Sequence, residues 1–323
     1  MSDERRLVLV VGVGRSGTSL LTGVLGQLGF HIPQPEVQAD ETNPRGFGEP
    51  RWVVDFHSRI LAASRVTLND SRPAAWTQMG EAAAAAHDEL RDWLRGQLEQ
   101  ADDIVVKDPR TVWFLDAWRA TAQELGARTS FVTMLRHPAE IVTSARRSYG
   151  PGLTEAGRSA AWINVMLQTE HATRDDRRAF VRYDDLLADW GPEIRRLGTA
   201  LDVPRLAAVD HVPEVDAFVD PTLHRNRTTW EELDVPARVR DLAEEVWAQV
   251  QAGDQAALDA DREAYLSLYG EAEAIAQCSI MAARPIRRPK APAAPKPPTS
   301  LRVRIARRIP APYRRRLREL VGK

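Results

Sequence analysis

The chain has 323 residues, 43% of them hydrophobic and 28% charged, with a formal net charge of −1. That is the composition of an ordinary globular enzyme and room for one large α/β domain or two small ones. A single cysteine, Cys278, excludes an internal disulfide framework and a cysteine-based zinc site, and the seven histidines show no ligand spacing, so no protein-held metal is expected.

The near-neutral total hides two halves of opposite sign. Residues 284–323 hold 14 bases and one acid, leaving 30 bases and 44 acids in the rest. An acidic body with a basic tail is a two-part molecule.

In chain order, Leu7 to Val11 is an unbroken apolar run ending at glycine, the pattern of a strand buried on both faces. It is too short for a signal sequence and is followed by no cleavage site, and no stretch reaches the ~20 apolar residues of a membrane span, so a cytoplasmic protein is expected. Ser19 to Leu28 carries apolar residues at helical spacing and stops at Gly29. Residues 31–50, rich in Pro, Asn and Gly, read as a loop. Arg51 to Ala63 and Gly80 to Leu98 predict helices, Asp103 to Lys107 a second strand, and Val112 to Leu125 a helix. A third strand spans Thr129 to Leu135, a helix follows from Pro138 to Arg147, and Thr154 to Arg174 is a long helix. Ala179 to Arg182 is a fourth strand, with helices over Pro192 to Leu201, Pro236 to Gln251 and Gln255 to Ala276.

Short apolar strands alternating with helices predict an α/β fold: a P-loop-like three-layer sandwich with a central parallel sheet, over residues 1–280. A Pro-rich linker, 281–299, and a basic amphipathic tail, 300–323, complete the expected organisation. The tail sets nine bases among leucines, isoleucines and valines, which suits the inner, anionic face of a membrane. It has almost no aromatics for base stacking, so no nucleic-acid partner is expected.

Gly12 to Ser19, reading Gly-Val-Gly-Arg-Ser-Gly-Thr-Ser, joins the first strand to the first helix. Glycines let successive N–H groups turn inward, and the helix N-terminus adds partial positive charge, so this is an anion-binding loop. The nucleoside-triphosphatase pattern demands lysine where Thr18 stands. A Mg-ATP enzyme uses that lysine on the β- and γ-phosphates. Here the cation is Arg15, three residues earlier, and the loop suits a smaller anion. Gly14, Arg15, Ser16, Gly17, Thr18 and Ser19 are its candidate binding residues. Arg136, at the end of the third strand, and Ser144, on the next helix, are placed to grip a second anion; Pro138 to Ser144 spans about 9 Å of helix.

On these motifs the chain resembles the sulfotransferase superfamily: Gly-Arg-Ser-Gly-Thr-Ser over 14–19, and Arg136-His-Pro followed by Ser144. Weaker similarities to bacterial members are Asn43 to Glu49, Lys107-Asp-Pro-Arg110 and Val181 to Leu187. The resemblance covers about residues 7–225. It implies 3′-phosphoadenosine 5′-phosphosulfate (PAPS) as donor, with the first motif on the 5′-phosphosulfate and the second on the 3′-phosphate. The partner would be a hydroxyl-bearing small molecule, glycan or lipid. A P-loop small-molecule kinase and a non-catalytic nucleotide-binding membrane protein are the alternatives.

An acceptor hydroxyl must lose its proton as sulfur moves, so a base is needed. The family's small-molecule branch uses a histidine after Lys-Thr; Lys107-Asp108-Pro109-Arg110 stands there without one. Other branches use glutamate, which makes Glu49 the first candidate, Asp108 the second and His57 the third. Lys107 is expected to stabilise charge on the sulfuryl group or leaving phosphate, and Arg110 to do the same or to bind an anionic acceptor. Asp184 and Asp185 read as helix caps, Trp113, Trp118 and Trp162 as core, and His224 to Arg227 as a basic loop patch able to close over a nucleotide.

Overall fold

The structure, a computed structural model, describes residues 4–41, 43, 45–149, 152–220 and 228–282. Four strands, β1 (Arg6–Val11), β2 (Asp103–Lys107), β3 (Arg128–Leu135) and β4 (Arg178–Arg182), form one parallel sheet in the order β2-β1-β3-β4. Side chains alternate between its faces. Leu7, Leu9, Val11, Ile104, Val106 and Phe131 enter one apolar core; Val8, Val10, Val105, Val132 and Met134 enter the other. Both faces are therefore covered, giving the expected three-layer sandwich. Burying each such side chain stabilises the fold by roughly 1.5–3 kcal/mol.

Helix α1 (Thr18–Gln27) lies on the second face, with Leu21, Val24 and Leu25 fully buried. The first face is covered by α2 (Arg51–Ala63), α3 (Ala75–Ala85), α4 (His87–Leu98) and α5 (Leu115–Glu124), each contributing to that core. There follow α6 (Pro138–Tyr149), α7 (Glu155–Ala172), α8 (Tyr183–Ala188), α9 (Trp190–Leu201), α10 (Pro204–Ala207), α11 (Pro213–Phe218), α12 (Ala237–Ala252) and α13 (Gln255–Ala282). Trp113, Trp118 and Trp162 are core residues, as expected.

Two predicted helices are redrawn. The one expected over 80–98 starts earlier and breaks at Ala86, where no Gly or Pro stands. Its second half starts with Asp88 and Glu89 in the first turn, favourable against the helix dipole, and is pinned to α5 by His87, 2.7 Å from Glu124. The helix expected from 112 begins as a tight 3₁₀ turn, Pro109–Trp113, because the Asp108 side chain accepts the Arg110 N–H and starts it early. Asp184 and Asp185, expected to cap a helix, fall instead inside the first turn of α8, whose N-cap is Arg182 and which has no side-chain cap bond.

The chain divides into two compact units, Met1–Ala272 and Glu273–Lys323. Of the second, the described residues are the end of α13; the expected linker and tail otherwise lie outside the described residues, as does the loop patch from His224 to Arg227. Among the described residues no helix is long and apolar enough to cross a membrane.

The register decides where the site lies. Val10 is level with Lys107 on one side and with Val132 on the other. The loop after β1, the turn after β2 and Arg136 after β3 consequently emerge at one edge, the carboxyl ends of the strands, where ligands of open α/β sheets bind.

Candidate active site

At that edge opens a cavity of about 440 Å³, within the usual range for small-molecule sites. Among the described residues six cations line it, Arg15, Arg45, Arg51, Lys107, Arg110 and Arg136, against two acids, Asp40 and Glu49. The body of the chain is acidic, so this concentration of positive charge is local and gives the cavity a positive field.

The glycine loop forms its floor. Gly17 starts α1 at φ 98°, and no side chain caps the helix. A Cβ at Gly17 would lie 2.3 Å from the Tyr183 ring, so both the backbone angle and the close approach require glycine. As the first residues of α1, Thr18 and Ser19 keep N–H groups that no helical carbonyl can accept. Arg15 holds φ 78°, the left-handed region, at a cost of roughly 1–2 kcal/mol for a side chain of its kind. That strain turns its guanidinium toward α6, where Nε donates to Ser144 Oγ at 3.1 Å. The N–H of Ser16 already donates to Val13 O at 3.2 Å, and the Ser16 hydroxyl is buried beneath the loop. Ser16 therefore supports the loop rather than lining the cavity, unlike Gly14, Gly17, Thr18 and Ser19.

Arg136 stands beside this loop. Its Nη1 donates to the Arg15 carbonyl at 3.2 Å, its Nε donates to Glu140 at 2.9 Å, and its guanidinium lies 4.7 Å from the Tyr183 ring centroid. The two motifs thus meet: Arg15, Arg136 and Ser144 form one connected group rather than two remote pockets.

On the far side of β1, Lys107 is only 2% exposed, and its Nζ donates to Ser19 Oγ at 3.1 Å, Phe47 O at 3.1 Å and Glu49 Oε1 at 2.6 Å. All three ammonium donors are therefore in use, and Lys107 must exchange a partner to touch a bound ligand. Burial pushes its pKa down, and the Glu49 charge opposes that. Glu49 lines the cavity through this pair.

Asp108 and His57 are drawn elsewhere. Both are fully buried, behind the cavity wall. His57 Nδ1 lies 2.7 Å from Asp108 Oδ2, and the Trp118 indole N–H donates to His57 Nε2 at 3.1 Å. An acceptor at Nε2 means a neutral ring with its proton on Nδ1. Burial lowers the His57 pKa further than its bond to Asp108 raises it. Burial alone would raise the Asp108 pKa, but the His57 bond and the Arg110 charge bring it below the usual value.

Sequence reasoning missed Tyr183, Glu140 and Tyr149. Tyr149 lines the cavity half-exposed, with the Arg15 charge acting on its hydroxyl. These residues lie on helices where their spacing carries no signal. Among the described residues no cluster of three or more His, Cys, Asp or Glu is placed to hold a metal.

A sequence model described as the sulfotransferase family matches residues 8–208. No curated protein matches the chain. Among solved structures, the sulfotransferase domain of the Synechococcus PCC 7002 olefin synthase is similar at 17% identity, over 78% of this chain and 96% of that one, with a TM-score of 0.44. The sulfotransferase domain from the curacin biosynthetic pathway is similar at 14% identity, over 77% and 99%, with a TM-score of 0.45. Those likenesses are distant and add nothing to the argument. The family match takes in most of β1, the other three strands, the glycine loop and Arg136 with Ser144, and the chain belongs to the sulfotransferase family.

Proposed function

We propose that this sulfotransferase takes its sulfuryl group from PAPS and passes it to a hydroxyl of a carbohydrate, lipid or natural-product acceptor. The observation that carries the reading is the junction of Arg15, Ser144 and Arg136 at a glycine loop that has threonine, not lysine, at position 18. A nucleotide with anions at both its 5′ and 3′ ends meets cations on both sides of that junction. A triphosphate would lack the lysine it needs.

The loop amides, Thr18 and Arg15 are assigned to the 5′-phosphosulfate, and Arg136 with Ser144 to the 3′-phosphate. Ser144 is then shared, since it already accepts from Arg15. Glu49 is assigned as the base. In the transfer, the acceptor oxygen bonds to sulfur, the bond from sulfur to the 5′-phosphate oxygen breaks, and the hydroxyl proton goes to Glu49. The products are a sulfate ester and 3′,5′-ADP. Arg15 offsets charge growing on the departing phosphate oxygen. Lys107 bonds both Ser19 and Glu49, so it links the base to the loop and can exchange one of these partners for the ligand. Asp108, the second candidate base, is hydrogen-bonded on both oxygens and is assigned no proton transfer. The basic segment 300–323 suits the anionic inner face of a membrane, which would bring the enzyme to a lipid or lipid-linked acceptor.

Calorimetry with 3′,5′-ADP and with Mg-ATP tests the donor. Tight, metal-independent binding of 3′,5′-ADP alone is expected. Binding of Mg-ATP alone would replace this reading with that of a kinase.

A further inference from the structure

Sulfuryl transfer as described leaves one costly arrangement unused. Trp118, His57 and Asp108 form a buried chain of hydrogen bonds that ends on Arg110, whose Nη1 donates to Asp108 Oδ1 at 2.7 Å. The Arg110 backbone N–H, at 3.2 Å, shares the same oxygen. Starting a 3₁₀ turn needs that backbone bond alone. It does not need a fully buried carboxylate held from behind by a neutral histidine, itself oriented by an indole N–H.

What the chain achieves is a guanidinium fixed in direction. Among the described residues Asp108 is the only hydrogen-bond partner of the Arg110 side chain, engaged through Nη1. A guanidinium has five donors in a rigid fork, so the Nε and Nη2 edge remains for a bidentate grip on an oxyanion. Arg110 lines the cavity, and its charge acts on the Tyr149 hydroxyl there.

The sheet order says which ligand that edge serves. Arg136 and Ser144 flank the loop from the β3 side, and β2 lies on the opposite side of β1. A Cβ on Gly14 would lie 3.5 Å from the Tyr149 hydroxyl and 3.9 Å from Pro109, so the turn after β2 abuts the glycine loop. The cavity also includes Leu68, Val37 and Val54, apolar surface suited to a carbon skeleton. An anionic acceptor approaching an anionic donor is repelled unless a cation meets it, and a preset cation does so at little entropic cost.

We propose that Arg110 is the oxyanion receptor for the acceptor, so that the molecule sulfated carries a carboxylate or phosphate monoester in addition to its reacting hydroxyl. Asp108 and His57 are positioning residues for it. The proposal rests on the sulfuryl-transfer reading above and deepens it.

The test is calorimetry on the full chain saturated with 3′,5′-ADP, titrated separately with inorganic phosphate and with acetate, for wild type, Arg110→Ala and Arg110→Lys. Arg110→Lys keeps a cation on Asp108 and guards against a folding loss in the alanine variant. Binding of at least one oxyanion by wild type is expected. It should weaken about tenfold or more in Arg110→Ala and less in Arg110→Lys, which lacks the fork. The affinity for 3′,5′-ADP should stay within about twofold throughout. The phosphate and acetate arms tell which group the acceptor carries. No oxyanion binding by wild type, or equal binding by all three proteins, overturns the proposal. A fall in 3′,5′-ADP affinity with oxyanion binding retained also overturns it, by placing Arg110 on the donor. No 3′,5′-ADP binding by wild type removes the donor reading first, and this proposal with it.

Discussion

Replacing Glu49 tests both the chemistry and the energetics of the cleft. Lys107 is 2% exposed and its three N–H groups meet Ser19, Phe47 and Glu49. Glu49→Ala would leave a buried ammonium with two neutral partners, a loss of roughly 3–5 kcal/mol. Glu49→Gln retains an acceptor near Oε1 and exchanges a charge-assisted bond for a neutral one, a loss of about 1–1.5 kcal/mol. Lys107→Met strands the glutamate instead. In the double variant Glu49→Gln/Lys107→Met no unpaired charge remains, so its cost should fall below the sum of the single costs by about 1–3 kcal/mol. Urea denaturation of the wild type and the four variants gives these values. In parallel, Glu49→Gln should lose about a hundredfold or more in sulfuryl transfer while binding 3′,5′-ADP as wild type does. Additive stability costs would refute the buried pair. Turnover of Glu49→Gln within about tenfold of wild type would refute the base.

Two further outcomes follow from the same geometry. Burial holds the His57 pKa below its ordinary 6.5, so the unfolded chain takes up that proton first as pH falls. Below 6.5, and down to the folded value, the unfolded state therefore binds more protons, and stability should decline with falling pH by up to about 1.4 kcal/mol per unit. Urea midpoints from about pH 7 to 5 should show this slope in wild type and a shallower one in His57→Gln; equal slopes would contradict a neutral ring. Gly17→Ala combines φ 98° with a contact 2.3 Å from the Tyr183 ring. It should cost roughly 1–3 kcal/mol and weaken 3′,5′-ADP strongly, read by melting temperature and calorimetry; wild-type affinity would contradict the role given to the loop.

The parts of this molecule that were legible in the sequence are those whose signal is local. An apolar run ending in Gly12 marks β1, and the glycine spacing marks the loop that follows it. Arg136 and Ser144 were legible because strand end and helix are adjacent in the chain. The break at Ala86 was not, since it coincides with a tertiary contact, His87 to Glu124, that no local pattern announces. The burial of Asp108 and His57 was not legible for a similar reason. Each is a titratable residue beside a candidate site, but Trp118, 61 residues from His57 in the chain, fixes the ring's tautomer and draws both into the interior. Tyr183 lies in the segment Val181 to Leu187, which carries only a weak similarity, yet its ring fills the space left by Gly17 and stacks beneath Arg136. Its contribution depends on a sheet register that brings β4 beside β3.

The most direct test of the account compares 3′,5′-ADP with 5′-AMP binding in wild type and Arg136→Ala. The account predicts that 3′,5′-ADP weakens by about 10- to 100-fold, the worth of a charge-assisted contact to the 3′-phosphate, while 5′-AMP changes little. Equal losses for the two nucleotides would contradict it, because Arg136 would then serve only to brace the Arg15 carbonyl.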